Sequence, residues 1–290
     1  MKSYFDIVGD GGSDIAGQVA EQRARIARNL AGIRHSVAIG SGKGGVGKST
    51  LTTHIALALR ATGREVAVLD ADLNGPTQAR LSGLRDVTLV PGAGGMAVPR
   101  SASGVGVVSL GSFVPESDAV DFESVSSGES HVWRAAREFA LLADLLEKVE
   151  WGRRDYLLID LPPGAERTLQ YAEFLGEGVA FVLVTVPSDL SRGVVARSVA
   201  ALRKTPNRLL GYVENMKGYY CDGCGEIKAL YPEAGAVDLG VPCLGVVPFD
   251  PALARVCDRG EPLPPGSSLP VVRALADVAA AVENAVKGTR

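Results

Sequence analysis

The stretch Gly42-Lys43-Gly44-Gly45-Val46-Gly47-Lys48-Ser49 constrains this chain more than any other, because the spacing G-x-x-x-x-G-K-[ST] works only as a turn between a strand and a helix. Residues 36–41 before it are short and mostly apolar, and the residues after it have helical period. The glycines let successive backbone N–H groups face one anion. The helix beginning near Lys48 adds its unsatisfied amides and the positive end of its dipole. A phosphate chain is what such a loop selects: Lys48 is expected to set its ammonium on the outer phosphates and Ser49 its hydroxyl on a magnesium ion bridging them.

A strand feeding such a loop belongs to a parallel sheet, and the rest of the chain repeats the pattern. Apolar runs at residues 36–41, 65–70, 106–110, 156–160, 179–186, 209–214 and 243–247 alternate with segments of helical period. Val132, Ala136, Phe139, Leu142, Leu146 and Val149 mark one amphipathic face, and Leu190, Val194, Val195, Val199 and Leu202 another. Ahead of the first strand, Ile15, Val19, Ile26, Leu30 and Ile33 suggest a helix with Arg23, Arg25 and Arg28 on a solvated face. Ser267, Ser268 and Pro270 predict the start of a last helix with a stripe of Val271, Leu275, Val278, Val282 and Val286. The expected fold is α/β and doubly wound, a mostly parallel sheet of about seven or eight strands with helices on both faces. Residues 1–33 read as an N-terminal helical extension and residues 34–290 as a single domain.

Of the 290 residues, 46% are hydrophobic and 22% charged, which supplies a sizeable core and excludes wholesale disorder. The longest apolar run, near residues 179–186, falls short of the roughly 18 to 20 residues that span a membrane. Residues 1–12 have neither the basic start nor the apolar run of a secretory signal, so a cytoplasmic protein is expected, without a membrane partner. Lys and Arg number 30 against 33 Asp and Glu, a net charge of −3 that argues against a nucleic-acid partner. Residues 111–130 hold Glu116, Asp118, Asp121, Glu123 and Glu129, and read as a long surface loop or a partner-binding segment.

Asp70-Ala71-Asp72 ends the second predicted strand and Asp160 the fourth, so all three carboxylates fall at the carboxyl edge of the sheet, where α/β folds bind ligands. A second lysine, Lys43, stands inside the loop, as K-G-G-x-G-K-[ST]. In this the chain resembles the deviant Walker A ATPases, P-loop NTPases of the SIMIBI type that include MinD, ParA, the nitrogenase iron protein and the Mrp/ApbC proteins. The resemblance implies ATP, held by Gly42, Gly44, Gly45, Val46, Gly47, Lys48, Ser49 and Thr50, and a homodimer in which Lys43 reaches the partner's nucleotide. It implies that Lys43, Lys48 and Asp72 are catalytic, with Asp72 orienting the attacking water. Asp160 becomes the Walker B residue, near magnesium with Ser49, while Asn215 and the Pro248-Phe249-Asp250 turn frame adenine.

Residues 214–225, Glu-Asn-Met-Lys-Gly-Tyr-Tyr-Cys-Asp-Gly-Cys-Gly, narrow the resemblance, since E-N-M-x(4)-C-x-x-C-G looks like the segment of the Mrp/ApbC iron-sulfur cluster carriers. Cys221 and Cys224 are two thiolates two residues apart, half of the four ligands that zinc or a [4Fe-4S] cluster normally takes. A two-fold axis supplies the other half. Zinc on the same four thiolates is the main alternative, and a redox disulfide lacks a thioredoxin-like context. Cys243 and Cys257 are expected to be buried small hydrophobes. The chain departs from the family in Ala165-Glu166-Arg167, where T-G-D is common, and in Leu73-Asn74-Gly75-Pro76-Thr77 after Asp72. The resulting expectation is an ATP-hydrolysing homodimer that carries an iron-sulfur cluster to apoproteins. The alternatives are a MinD/ParA-type positioning ATPase and a zinc-binding nucleotide switch.

Overall fold

The computed structural model describes residues 15–73, 75–85, 87, 89–92, 94–109, 131–231, 238–261, 263 and 267–288. The acidic segment 111–130 lies outside the described residues. Seven parallel strands form one sheet in the order β10-β8-β7-β1-β6-β2-β4: β1 (Ile33–Ser41), β2 (Val66–Asp70), β4 (Gly106–Val108), β6 (Arg154–Asp160), β7 (Val179–Thr185), β8 (Leu209–Cys221) and β10 (Cys243–Phe249). All seven strands read from the sequence are present, and the doubly wound α/β fold is as expected. An eighth strand, β9 (Glu226–Lys228), pairs antiparallel with the end of β8. Two short strands, β3 (Met96–Ala97) and β5 (Val149–Glu150), form a separate parallel pair. Val149 therefore opens a strand instead of closing a helix.

Alternation along the strands divides the core in two. Val37 and Ile39 of β1, Val66 and Val68 of β2, and Val182 and Val184 of β7 point to one face. There they meet Leu51, Ile55 and Leu59 of α2 (Lys48–Ala61) and Val271, Leu275, Val278 and Val282 of α8 (Pro270–Lys287). Ala38, Ala67, Leu69, Leu157, Phe181 and Leu183 point to the other. They are covered by α4 (His131–Lys148), α5 (Ala165–Leu175) and α6 (Asp189–Leu202), through Leu142, Leu146, Tyr171, Val195 and Val199. Both faces are dry, which is why the strands read as unbroken apolar runs. Leu190 departs from its predicted stripe: it lies in the first turn of α6, 75% exposed. The remaining helices are α3 (Gln78–Leu81) and α7 (Pro251–Arg259).

The N-terminal helix α1 (Ile15–Leu30) ends before Ile33, which opens β1. Ile26 and Leu30 pack on the second face, and Asn29 Nδ2 donates to the carbonyls of Leu146 at 2.7 Å and Val149 at 2.8 Å, closing the end of α4. Arg25 bridges Glu21 and Glu147 at 3.0 and 2.6 Å, so part of the arginine face is paired with the body of the domain. No described helix is long and apolar enough to cross a membrane.

Candidate functional site

The phosphate loop leaves β1 at the carboxyl edge of the sheet, with β6 and β7 on its two sides. Gly45 and Gly47 adopt φ of 76° and 79°, a region costly for residues with a Cβ, and this turns the loop's amides inward. Space is also reserved: a Cβ on Gly47 would stand 2.3 Å from Asn215 Nδ2, and one on Gly42 2.5 Å from Val194 Cγ1. Glycine at these positions lets the loop pack closely against Asn215 and Val194, and α2 begins at Lys48, where the free amides of a helix N-terminus favour an anion.

Lys48 is nearly buried and its Nζ donates to Asp160 Oδ1 at 2.5 Å and to Ser49 Oγ at 3.3 Å. Asp160 is wholly buried, and Thr52 Oγ1 reaches its Oδ1 at 3.3 Å while Gln78 Nε2 donates to its Oδ2 at 2.8 Å. The lysine thus rests on the carboxylate at the mouth of the glycine loop. Asp70, opposite Asp160 in the sheet, accepts the N–H groups of Thr77 and Gln78 and the hydroxyl of Ser109. Burial, and next the charge of Asp160, push its carboxyl up to about 7. Its Oδ1 also accepts the Asp72 N–H at 3.2 Å, so Asp70 organises the segment that carries Asp72. Asp72 is half-buried, and burial raises its carboxyl above the ordinary range against the pull of Lys48. Lys48, Ser49, Asp72 and Asp160 thereby converge on one polar corner suited to a phosphate and a divalent cation.

Lys43 is half-buried within the loop, and its ammonium has no carboxylate partner among the described residues. Val46 is buried, and its carbonyl accepts Asn215 Nδ2 at 2.9 Å, so Asn215 braces the phosphate loop from β8. Pro248 and Asp250 are buried beside it at the end of β10; Asp250 Oδ1 caps α7 through the Ala252 N–H at 2.7 Å. Asp250 Oδ2 is buried without a partner among the described residues, an unsatisfied acceptor that a ligand hydroxyl or amine would satisfy.

The departure at Ala165-Glu166-Arg167 has a packing role that the sequence did not disclose. Arg167 pairs with Glu138 of α4 and lies over the rings of Phe139 and Tyr171, at 5.7 and 5.4 Å. The Tyr171 hydroxyl stands 3.0 Å from Glu138 Oε1 and 2.9 Å from the Ala71 carbonyl, between Asp70 and Asp72. This ties α5 to the carboxylate segment. Gln78 was also missed, because it opens α3, a four-residue helix too short to carry a periodic signal.

β8 continues seven residues past its predicted end at Glu214, and this extension delivers the cysteines. Its base is clamped where Glu214 meets Arg192 of α6 at 2.8 Å and Lys217 at 2.9 Å; burial raises the Glu214 carboxyl, but these two cations outweigh it and hold it low. Met216, next to Asn215, takes a φ of 55°, the one positive value outside glycine among the described residues. Tyr219, Tyr220 and Cys221 pair with Lys228, Ile227 and Glu226 of β9, and Asp222-Gly223-Cys224-Gly225 makes the turn, with Gly225 at φ 70° donating to the Cys221 carbonyl. Cys224 is exposed and Cys221 half-exposed. Hydrogen bonds from the Cys224 N–H, the Cys224 thiol and the Gly223 N–H hold the Cys221 thiol below its ordinary range, which favours the thiolate that ligates metals. No cluster of three or more metal-binding side chains occurs among the described residues, so this tip presents two thiols. Cys257 is buried as expected, and burial pushes its thiol up to about 11. Cys243 is not buried: it opens the edge strand β10, where one side has no neighbouring strand to cover it.

A parallel sheet with a glycine loop, a buried Lys48–Asp160 pair and a cysteine hairpin at its edge defines a P-loop nucleotide-binding protein. Comparison with solved structures agrees. The nucleotide-binding protein in complex with ADP from Archaeoglobus fulgidus is similar at a TM-score of 0.68 and 30% identity, over 82% of this chain and 90% of that one. The cell division ATPase MinD of Pyrococcus furiosus is similar at 0.62 and 29%, over 87% and 99%. The family model for the NUBPL iron-transfer P-loop NTPases, within the ParA group, matches residues 32–283, and the chain belongs to that family. The human cytosolic Fe-S cluster assembly factor NUBP2 is 38% identical over 80% of this chain and 86% of its own length. The iron-sulfur cluster carrier protein of Saccharolobus solfataricus is 33% identical over 84% and 81%. The resemblance to the Mrp/ApbC carriers read from the cysteine segment is thereby borne out.

Proposed function

We propose that this protein is a cytoplasmic, ATP-hydrolysing homodimer that holds an iron-sulfur cluster between two copies of the Cys221–Cys224 hairpin and passes it to apoproteins. One observation carries the reading: the strand whose Asn215 braces the phosphate loop is the strand whose tip presents the two thiols. Two thiols satisfy half of a four-ligand site, so a second hairpin completes it. Exposure at the tip suits cargo that has to leave. The named relatives support the carrier reading over a positioning ATPase, for which the cysteine hairpin has no use.

On the nucleotide side, Lys48 leaves Asp160 for the outer phosphates, the loop amides from Gly42 to Thr50 wrap the chain, and Asp72 orients the attacking water. Lys43 of each subunit reaches across to the other's nucleotide. Ser49 and Asp160 would hold magnesium, which would neutralise charge on the phosphates. Asn215, Pro248 and Asp250 line the base and sugar end.

The test is anaerobic iron-sulfur reconstitution of the wild type and Cys221→Ala, followed by absorption spectra and iron, sulfide and zinc counts. The expected outcome is a broad charge-transfer band with about four iron per dimer, lost in the variant while ADP affinity is kept. Zinc in place of iron favours the structural-zinc switch. Full iron retention in Cys221→Ala moves the site elsewhere.

A further inference from the structure

Gln78 exposes none of its surface, although its amide could hydrogen-bond to water from most surface positions. Its burial is matched by a complete set of partners. Nε2 donates to Asp160 Oδ2 at 2.8 Å and to the Ser49 carbonyl at 3.0 Å, Oε1 accepts Thr53 Oγ1 at 2.7 Å, and the backbone N–H donates to Asp70 Oδ2 at 2.9 Å. The chemistry of these neighbours fixes the orientation of the amide. An ionised carboxylate and a carbonyl only accept, so the NH2 faces them, and the hydroxyl is left to donate to Oε1.

We infer that Gln78 is a positioning residue for Asp160: it holds Oδ2, so that Oδ1, the oxygen engaged by Lys48, is the one presented to the metal–nucleotide complex. The two carboxylate oxygens have different partners. Oδ1 takes Lys48 and Thr52, whereas Oδ2 takes Gln78. Once Lys48 turns to a phosphate, Oδ1 gives up its charged partner. Thr52 stays on Oδ1 at 3.3 Å, and the shorter bond from Gln78 to Oδ2, at 2.8 Å, is then the main restraint on rotation of the carboxylate about its terminal torsion, which is otherwise soft. Gln78 also closes the segment that begins at Asp70 and includes Asp72, because Asp70 Oδ2 binds the N–H groups of both Thr77 and Gln78. One residue therefore locks the segment carrying Asp72 to the end of β6 and to Ser49 at the start of α2. A methionine would fill the same volume but leave Asp160 Oδ2 and the Ser49 carbonyl without this donor.

This inference rests on the reading of the corner as a magnesium and nucleotide site. The experiment measures ADP affinity by calorimetry in EDTA and in excess Mg2+, together with the melting temperature, for the wild type, Gln78→Met and Thr53→Val. The ratio of the two affinities reads the metal-dependent gain, and ATP turnover against magnesium concentration is followed in parallel. The expected result is a gain about ten-fold smaller in Gln78→Met with affinity in EDTA nearly unchanged, the loss of one hydrogen bond to a charged group. Thr53→Val, which removes the hydroxyl that anchors Oε1 and so loosens the amide, reduces the gain by a smaller factor. If the wild type has no metal-dependent gain, the reading of the site fails and the inference with it. If the wild type has the gain and Gln78→Met keeps it, the inference alone is overturned, as it is if affinity falls equally with and without metal. Should Gln78→Met not fold, Thr53→Val decides, and an unchanged gain there overturns the positioning role.

Discussion

Replacing Lys48 by methionine removes the cation of an ion pair whose members expose 6% and 0% of their side chains, at an N–O distance of 2.5 Å. Asp160 keeps its bonds from Gln78 and Thr52 but is left as a buried charge with no counter-charge in contact. Breaking a buried pair from one side typically costs about 3 to 5 kcal/mol, because the remaining ion keeps its desolvation penalty. For a domain of this size that lowers the melting temperature by something on the order of 10 °C. Asp160→Asn in the same background removes the stranded charge and is expected to recover most of the loss, leaving the double variant more stable than Lys48→Met alone. Binding responds separately: ADP loses a charge-assisted contact worth about 1.5 to 3 kcal/mol, or roughly ten- to 150-fold in affinity. Urea unfolding and calorimetry on the four members of the cycle measure both effects. Stability of Lys48→Met within about 0.5 kcal/mol of the wild type, or a double variant no better than the single, refutes the reasoning.

His54 gives a pH dependence of definite sign. It is buried in α2, with Nδ1 at 2.8 Å from the Thr50 carbonyl and Nε2 without a partner among the described residues, and burial holds its pKa below 6.5. The unfolded chain therefore binds the proton more readily, so stability present above pH 6.5 declines as the pH falls through the folded-state value. His54→Leu should flatten that decline in denaturation curves taken between pH 7 and 5 (an interval of about two units), and an unaltered slope assigns it to other groups. Asn215→Ala strips the Val46 carbonyl of its donor and loosens the loop; ADP binding about ten-fold weaker is expected, and an unchanged dissociation constant would remove Asn215 from the site. Lys43→Ala should spare ADP binding while lowering ATP turnover, since its ammonium has no described intrasubunit carboxylate partner. Equal turnover by the variant would sink the cross-subunit role.

The parts of the site legible in the sequence are those whose chemistry is local. A phosphate loop is eight consecutive residues, and its glycines and Lys48 act through backbone conformation and reach within one turn. The strands were legible because both faces of the sheet are dry, which leaves unbroken apolar runs. What extends β8 was not: Lys217, Gly218 and Tyr219 break the apolar pattern, and all of Glu226–Lys228 is exposed, so neither strand of the hairpin carries a burial signal. The cysteine pair was visible as spacing, yet its place at the tip of a ribbon was not.

Residue type and order were sufficient for the fold class, the anion loop, the carboxylates at the sheet edge and the two-thiol motif, because each is set by short-range geometry or by periodicity. Tertiary structure alone decided the partnerships. Gln78 became a buried brace because Asp160, 82 residues away, lies above it; Arg167 found Glu138 and Tyr171 because α4 and α5 cover one face; Cys243 is exposed because β10 is the edge of the sheet. Such contacts depend on which elements the topology places side by side. A hydrogen bond or ion pair acts over a few ångströms of space, whatever the separation along the chain.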